Sequence, residues 1–388
     1  MSLTVSTPSA SGREGDACLP GRVPVLTMGV EEEFLLVDRG SRAPVGRGPR
    51  VIEAAARTLG PLVQPEFFTA QVEVCTSPTT DAAALRSELS RIRAEVIRAA
   101  AAEDCLLVAA GLPVVPPEHP LTVTPDERYH RMESHFASVL GDYDQAICGC
   151  HVHIGVDCRA QALDLANRMR PWLPVLQALA ANSPFDRGRD SGYASRRAVE
   201  YARWPTVGPA PVLDEAAYER CADDLVRSGT VLDRRMIYWY ARPSEHVPTL
   251  EIRVADVNAR IGTVVLLAVL VRGLAATLRA EAASGSPAPE PHTARLREAH
   301  LLAAAHGLHG DGLDPVDGVP VPAWTLIDRL RERAAPGLAA SGDSELVDAL
   351  LEEVRTEGTG AARQRAAHGG HGRLSRVVDS LVEALAAG

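Results

Sequence analysis

Four segments of this chain alternate apolar and polar side chains in the way that a half-buried strand does. They are Met28–Asp38, Gln71–Thr76, Cys148–Val156 and Thr249–Val257. Successive side chains of a strand point to opposite faces of its sheet, so each segment has one apolar face to bury. We therefore predict a sheet that is covered on one side and carries polar side chains on the other.

The predicted polar face is dominated by acids and histidines. Its members are Glu31, Glu33, Glu73, His151, His153, Glu251 and Arg253. Like charges about 4 Å apart repel by roughly 4 kcal/mol at an effective dielectric of 20, so converging carboxylates must be protonated or neutralised. All-oxygen clusters are typical sites for Mg²⁺ or Mn²⁺, often completed by substrate phosphates. Taken singly, each acid fits a solvated strand residue better; the cluster interpretation requires that the four strands share one sheet.

The order of the elements favours an α+β fold. Strand patterns concentrate before residue 258, where a further strand is predicted at Arg235–Ala241, and helical patterns dominate the rest. A long functional loop is predicted over 182–211, and Gly/Pro-rich loops over 284–291 and 307–320. Residues 1–24 are rich in Ser, Gly, Pro and Thr and are predicted to form a flexible tail, leaving 25–388 as a single domain.

Composition excludes several functions. The chain contains no lysine, which excludes P-loop, pyridoxal-dependent and protein-kinase chemistry. Its formal net charge of -10 argues against binding to nucleic acid or to a membrane surface. The odd number of cysteines, 7, suits a reducing compartment, so we predict a cytoplasmic protein. The apolar run from Ile261 ends at Arg272, short of the ~20 residues of a membrane span.

Six stretches of the sequence resemble one known family. They are MGVEEEFLLVD (28–38), EFF…VEV (66–74), CGCHVHIG (148–155), DSGY…RWPT (190–206), LEIRVADV (250–257) and GTGAARQR (358–365). In this order they look like the carboxylate–amine ligase, or type 2 glutamate–cysteine ligase, family of the glutamine-synthetase-like superfamily. The resemblance implies a funnel of curved antiparallel sheet with helices packed on its convex face.

The resemblance also implies ATP, Mg²⁺ (or Mn²⁺) and a set of site residues. The metal-ligand positions match Glu31, Glu33, Glu66, Glu73 and Glu251. His151 matches a position near nucleotide and metal, and Arg253 matches the arginine of the last strand. Glu66 and Glu73 are seven residues apart, so in one straight strand they would face opposite sides; we expect a bulge or bend between them.

Further candidates come from residue chemistry. Arginine suits a bidentate carboxylate clamp, which makes Arg196 and Arg203 candidates for the substrate and leaves Arg197 as a surface residue. His153 is a further substrate candidate, and Arg363 could reach a phosphate.

The predicted activity is ATP- and Mg²⁺-dependent formation of an amide from an amino-acid carboxylate and an amine, through an acyl phosphate with release of ADP. Three alternatives stay open: a phosphagen-kinase-like phosphotransferase, a metal-dependent amidase and a non-catalytic binding protein. We also expect a homodimer.

Overall fold

The computed structural model describes residues 23–140, 145–370 and 372–388, without the side chains of 138–140. The predicted tail at 1–24 therefore lies outside the described residues except for its last two positions, and the single-domain assignment stays a prediction.

The centre of the fold is an antiparallel sheet. Its strands are β1 (Met28–Asp38), β2 (Val63–Pro65), β3 (Gln71–Cys75), β4 (Cys105–Val108), β5 (Gly149–Gly155), β8 (Ala241–Pro243) and β9 (Thr249–Asp256). They follow the order β2-β3-β1-β5-β9-β8, with β4 also paired to β1. Two small hairpins lie outside it, β6 (Phe185–Asp186) with β7 (Arg189–Asp190), and β10 (Asp311–Asp314) with β11 (Val319–Pro322). The four alternating segments are thus neighbours in one sheet, as predicted.

Helices surround this sheet and dominate the second half of the chain. They are α1 (Gly48–Leu59), α2 (Ala82–Ala102), α3 (Glu127–Leu140), α4 (Arg159–Met169), α5 (Leu173–Leu179), α6 (Arg196–Tyr201), α7 (Glu215–Arg227), α8 (Ile261–Ala283), α9 (Thr293–His306), α10 (Ala323–Ser341), α11 (Ser344–Glu357), α12 (Gly360–His368) and α13 (Leu374–Ala387). The apolar faces of β5 and β9 pack with α8 in the main hydrophobic core.

Helix α8 is apolar on all sides because it is buried on all sides. It is long and hydrophobic enough for a membrane span, but its apolar window is 100% buried inside the fold, which is typical of a core helix. Arg272 interrupts the apolar run but not the helix, and forms a buried ion pair with Asp343.

Strand β1 carries glutamates on both of its faces. Glu31 and Glu33 face one side, and Glu32 points into the core on the other side, where it meets Arg93 of α2. The guanidinium contacts both carboxylate oxygens and also donates to the carbonyls of Asn258 and Ala259. Each buried charge is therefore neutralised, and the pair ties β1 and α2 to the chain that follows β9.

Two secondary-structure predictions were wrong. Arg235–Ala241 does not form the predicted strand: it begins with a 3₁₀ turn at Arg234–Met236, and β8 starts only at Ala241. The carbonyls of Arg235 and Ile237 accept hydrogen bonds from the Arg242 side chain rather than from a neighbouring strand. The predicted loop at 307–320 contains most of the hairpin β10–β11, whose tight turn masks the short strands in the sequence pattern.

A buried histidine makes stability depend on pH. His300 on α9 donates from Nδ1 to Gln177 Oε1 at 2.7 Å, and burial lowers its pKa from 6.5 to about 3. Below pH 6.5 the unfolded chain takes up a proton that the folded chain refuses, so stability falls as pH falls toward 3. From pH 7 to pH 5, wild type should lose about 2 kcal/mol more unfolding free energy than His300→Gln. Urea unfolding of both proteins at both pH values measures this; parallel losses would contradict it.

Candidate active site

The polar face of the sheet lines a cavity of about 840 Å³. All seven residues predicted from the alternation, and Glu66 in addition, contribute to its walls. The antiparallel register aligns them: Glu31 pairs with His151, Glu33 with Glu73, and His153 with Glu251. Directly opposite side chains in neighbouring strands lie about 4.5–5.5 Å apart at Cβ, so these groups must interact.

One cluster of ligand atoms is formed by Glu31, His151 and Glu251. Their atoms lie within 4.8 Å of one another. His151 Nδ1 is 3.2 Å from Glu31 Oε2 and 3.8 Å from Glu251 Oε1, while His153 Nε2 is 3.1 Å from Glu31 Oε1. His153 is held from behind, since its Nδ1 is 2.8 Å from Thr249 Oγ1. The geometry gives His153 a neighbour among the acids, whereas its predicted contact with substrate stays a prediction.

A second cluster is formed by Glu33, Glu66 and Glu73, again with ligand atoms within 4.8 Å. A bulge or a bend was expected between Glu66 and Glu73, and the structure shows a bend. Strands β2 and β3 are antiparallel neighbours with Gln64 opposite Glu73, and Glu66 follows β2 where the chain turns back. The chain reversal, rather than a distorted strand, brings the two acids to the same side.

The electrostatics of the two clusters differ. Burial and the nearby Glu33 raise the pKa of Glu66 to about 7, and burial with Glu66 raises that of Glu73 well above its usual value. Burial would also raise the pKa values of Glu31 and Glu251, but the histidines outweigh it at Glu31, and Arg253 with Arg242 outweigh it at Glu251, so both are lowered. The second cluster is therefore short of positive charge.

These residues fit divalent cations. Carboxylate oxygens, which make up the whole second cluster and most of the first, are the donors that suit Mg²⁺ and Mn²⁺, and a cation would relieve the repulsion in the second cluster. Nε2 of His151 is also buried without a hydrogen-bond partner among the described residues, and it lies 3.6 Å from Glu33 Oε1. An unpaired buried nitrogen between two acid clusters is a ready metal or phosphate contact.

Arg253 faces the first cluster from the same strand as Glu251. Its guanidinium is ion-paired with Glu251, lies 3.5 Å from His151 Nδ1 and donates to the Tyr201 hydroxyl at 3.2 Å. Burial would lower its pKa, but Glu251 outweighs this and raises it, so the side chain is a fixed positive charge.

Of the three arginines at 196, 197 and 203, the structure brings Arg197 to the cavity. The sequence pattern places it on the surface; this was wrong, because it is only 2% exposed. Its guanidinium lies over the Tyr201 ring at 5.1 Å and is 3.9 Å from Asp256. A Cβ at Gly149 would be 2.2 Å from its Nη2, so glycine at this position of β5 makes room for the arginine.

A buried carboxylate fixes the segment that carries Arg197. Asp256 accepts hydrogen bonds from the hydroxyls of Ser183 and Ser195 at 2.7 and 2.8 Å and from the backbone N–H of Asn182 at 2.8 Å. Ser195 in turn caps α6, which begins at Arg196. The predicted functional loop is thus anchored to the end of β9.

Three predicted site residues lie elsewhere. Arg196 and Arg203 are both ion-paired with Glu200, at 2.6 and 3.2 Å, and neither is among the residues that line the cavity, whereas Arg197 is. Arg363 of α12 donates to the carbonyl of Gly358, just before that helix, and burial lowers its pKa to about 10. The placement of these three gives their predicted contacts no support.

Sequence reasoning missed a group of aromatic residues that line part of the cavity. The Phe67 ring lies edge-on to Phe68, Tyr129 and Trp204, with centroids 4.7, 5.8 and 5.9 Å apart, and Trp204 contacts Tyr238 at 6.2 Å. These residues come from four separate segments without a shared pattern. The cavity is thus lined by aromatic rings as well as by acids.

Comparison with known proteins agrees with this architecture. The sequence profile of glutamate–cysteine ligase family 2 matches residues 27–380. The chain belongs to this family. A Salinispora tropica protein provisionally named glutamate–cysteine ligase 2 is 43% identical over 347 residues, which cover 89% of this chain and 91% of that protein. A Nocardia farcinica protein, provisionally named glutamate–cysteine ligase 2-1, is 43% identical over 360 residues, covering 92% of both chains.

Solved structures share the fold. The Francisella tularensis glutamate–cysteine ligase in complex with AMP superposes with a TM-score of 0.69 at 14% identity, covering 93% of this chain and 88% of that chain. A bifunctional glutathione synthetase from Pasteurella multocida gives 0.68 at 16% identity, covering 93% of this chain and 52% of that chain. The predicted family, the α+β fold and an ATP-dependent ligase activity are thereby confirmed.

Proposed function

We propose that this member of glutamate–cysteine ligase family 2 joins the carboxylate of an amino acid, with glutamate as the first candidate, to the amine of a second small molecule. ATP is converted to ADP, and the carboxylate is activated as an acyl phosphate. The observation that supports this most strongly is that one cavity brings together the five predicted metal-ligand acids with His151, Arg197 and Arg253. A cytoplasmic location and a homodimer stay predictions from the sequence.

The two ligand clusters would hold Mg²⁺ or Mn²⁺: Glu31, His151 and Glu251 on one side, and Glu33, Glu66 and Glu73 on the other. Divalent ions held there would supply positive charge to neutralise the phosphates of ATP. The sheet contributes by fixing these side chains from four strands and from the turn after β2, so the cluster geometry exists before substrate binds.

The remaining residues act on the reacting groups. The carboxylate that reacts must be aligned with the γ-phosphate of ATP. Arg197 is a buried cation that can hold a second carboxylate of the same substrate through two hydrogen bonds and so align the first. Arg253 stabilises negative charge on the transferred phosphoryl group and on the tetrahedral adduct that forms when the amine attacks. The amine nitrogen forms the amide bond as the acyl–oxygen bond breaks and phosphate departs.

Arg197→Gln should raise the KM for the carboxylate substrate by about 10- to 100-fold, since a hydrogen bond to a charged group contributes about 1.5–3 kcal/mol. The KM for ATP should change by less than about threefold, because the guanidinium contacts neither ligand cluster in this account. Steady-state kinetics with each substrate varied in turn measures both values. Equal rises in both KM values would contradict a carboxylate-binding role. Arg203→Gln, which alters a pair with Glu200 outside the cavity, is the matched control.

The proposed function is tested by ADP release. Purified enzyme with ATP and Mg²⁺ is screened against amino acids and amines, beginning with glutamate and cysteine, and the product is analysed by mass spectrometry. We expect ADP release that requires both substrates and a product that has lost one water relative to their sum. A phosphorylated product without an amide would favour the phosphagen-kinase alternative, and amide hydrolysis without ATP would favour the amidase.

A further inference from the structure

Glu251 is held by two arginines at once, and sequence reasoning predicted only one of them. Arg253 contacts Oε1 from two residues further along β9. Arg242 lies directly opposite Glu251 on β8 and donates from Nε to Oε2 at 2.8 Å, with a longer contact of 3.4 Å from Nη2 to Oε1. Both oxygens of this proposed metal ligand therefore already contact an arginine, and a metal ion at Glu251 would share the carboxylate with the arginines or displace one of them.

The two arginines differ in how firmly they are anchored. Nη1 of Arg242 donates to the carbonyls of Arg235 and Ile237 at 2.7 and 2.8 Å. Swinging Arg242 away from Glu251 would leave these two carbonyls without their donor, in addition to breaking the ion pair. The planar guanidinium thus contacts partners through all three of its nitrogens, and this fork of donors is a geometry that lysine cannot reproduce.

The Arg253 side chain, in contrast, has only side-chain partners among the described residues: besides Glu251 these are the Tyr201 hydroxyl and, at a longer 3.5 Å, His151 Nδ1. Its Nε and Nη2 both donate to the Tyr201 hydroxyl at 3.2 Å, and its guanidinium carbon lies over the Tyr238 ring, 5.6 Å from the ring centroid. The Tyr201 hydroxyl can follow the guanidinium as it turns, because a hydroxyl rotates to suit its partner. Arg253 is thus the arginine that can leave Oε1, the oxygen 3.8 Å from His151 Nδ1.

We propose that Arg242 is a positioning residue for the metal cluster: it holds Glu251 through Oε2, so that Oε1 stays turned toward Glu31 and His151 when Arg253 moves to the transferred phosphoryl group. This inference rests on the proposed function, since it assumes that Glu251 binds a metal ion. Residues that orient a metal ligand typically change metal affinity by about 10- to 100-fold when they are removed.

The test is a titration of the protein with Mn²⁺ in the absence of nucleotide. The electron paramagnetic resonance signal of free Mn²⁺ measures how much of the metal is bound. Wild type should bind ions at both ligand clusters. Arg242→Gln should weaken one class of site by about 10- to 100-fold and leave the other, at Glu33, Glu66 and Glu73, within about threefold. Arg242→Lys should weaken the same class, because it keeps the charge and loses the fork. Should Arg242→Gln fail to fold, the lysine variant provides the same test.

Two further variants separate orientation from charge. Arg253→Gln removes a cation that competes for Oε1, so its Mn²⁺ affinity should equal or exceed that of wild type. Arg331→Gln removes a surface arginine that binds Asp348 through two nitrogens, and should change nothing.

Each remaining outcome is decisive. Unchanged or tighter binding in Arg242→Gln, equal weakening of both classes, or full affinity in Arg242→Lys would overturn the positioning role. Absence of Mn²⁺ binding in wild type would instead defeat the metal sites of the proposed function.

Discussion

Replacing Glu251 by glutamine should lower kcat by at least about 10³-fold, equivalent to about 4 kcal/mol of transition-state stabilisation. The side chain is 3% exposed and lies between His151, Arg242 and Arg253. An amide keeps the shape of the carboxylate but loses its charge and one acceptor oxygen, so it can neither bind a divalent ion well nor balance two arginines. ADP release at saturating Mg²⁺ and substrates measures the effect.

The control for this variant replaces another glutamate that is ion-paired with an arginine. Glu281→Gln breaks an ion pair between α8 and Arg333 of α10 at the protein surface and should retain wild-type turnover. Since breaking a buried pair costs about 3–5 kcal/mol of stability, the folded state of Glu251→Gln is checked by circular dichroism before the assay. Near-normal turnover of the folded variant would remove Glu251 from the metal cluster.

Replacing Arg253 by glutamine should lower kcat by about 10³- to 10⁵-fold, the range found for arginines that stabilise a transferring phosphoryl group. The KM values should change much less, because the arginine acts on charge that develops only in the transition state. Steady-state kinetics and a single-turnover measurement of ADP formation check this. A large rise in KM with kcat preserved would show that Arg253 binds a ground state instead.

Much of the site could be predicted because strand alternation is a local rule. Glu31, Glu33, Glu73, His151, His153, Glu251 and Arg253 share a face in the sequence pattern and share a cavity in the structure. The pattern needs only the period of two and the pairing of the four strands. Glu66 was reached only through the family resemblance, since the chain reversal after β2 is not visible in the alternation.

The residues that were missed depend on contacts that no local pattern encodes. Arg197 is buried because Gly149, Tyr201 and Asp256 surround it, and these lie on three different segments. A single helical turn decides that Arg197 faces the cavity while its neighbour Arg196 pairs with Glu200. Arg242 was missed because the predicted strand ended at Ala241, whereas in the structure β8 begins there and places Arg242 opposite Glu251.

The most direct test of acyl-phosphate activation follows oxygen from the carboxylate. The enzyme is incubated with ATP, Mg²⁺, glutamate labelled with ¹⁸O in its carboxylates, and cysteine, or with the substrate pair that the ADP screen identifies. The phosphate, the nucleotide and the amide are then analysed by mass spectrometry. If the γ-phosphoryl group is transferred to the carboxylate, each amide formed should release one phosphate carrying one ¹⁸O, together with unlabelled ADP. Label in AMP, or amide formation with unlabelled phosphate, would contradict the account.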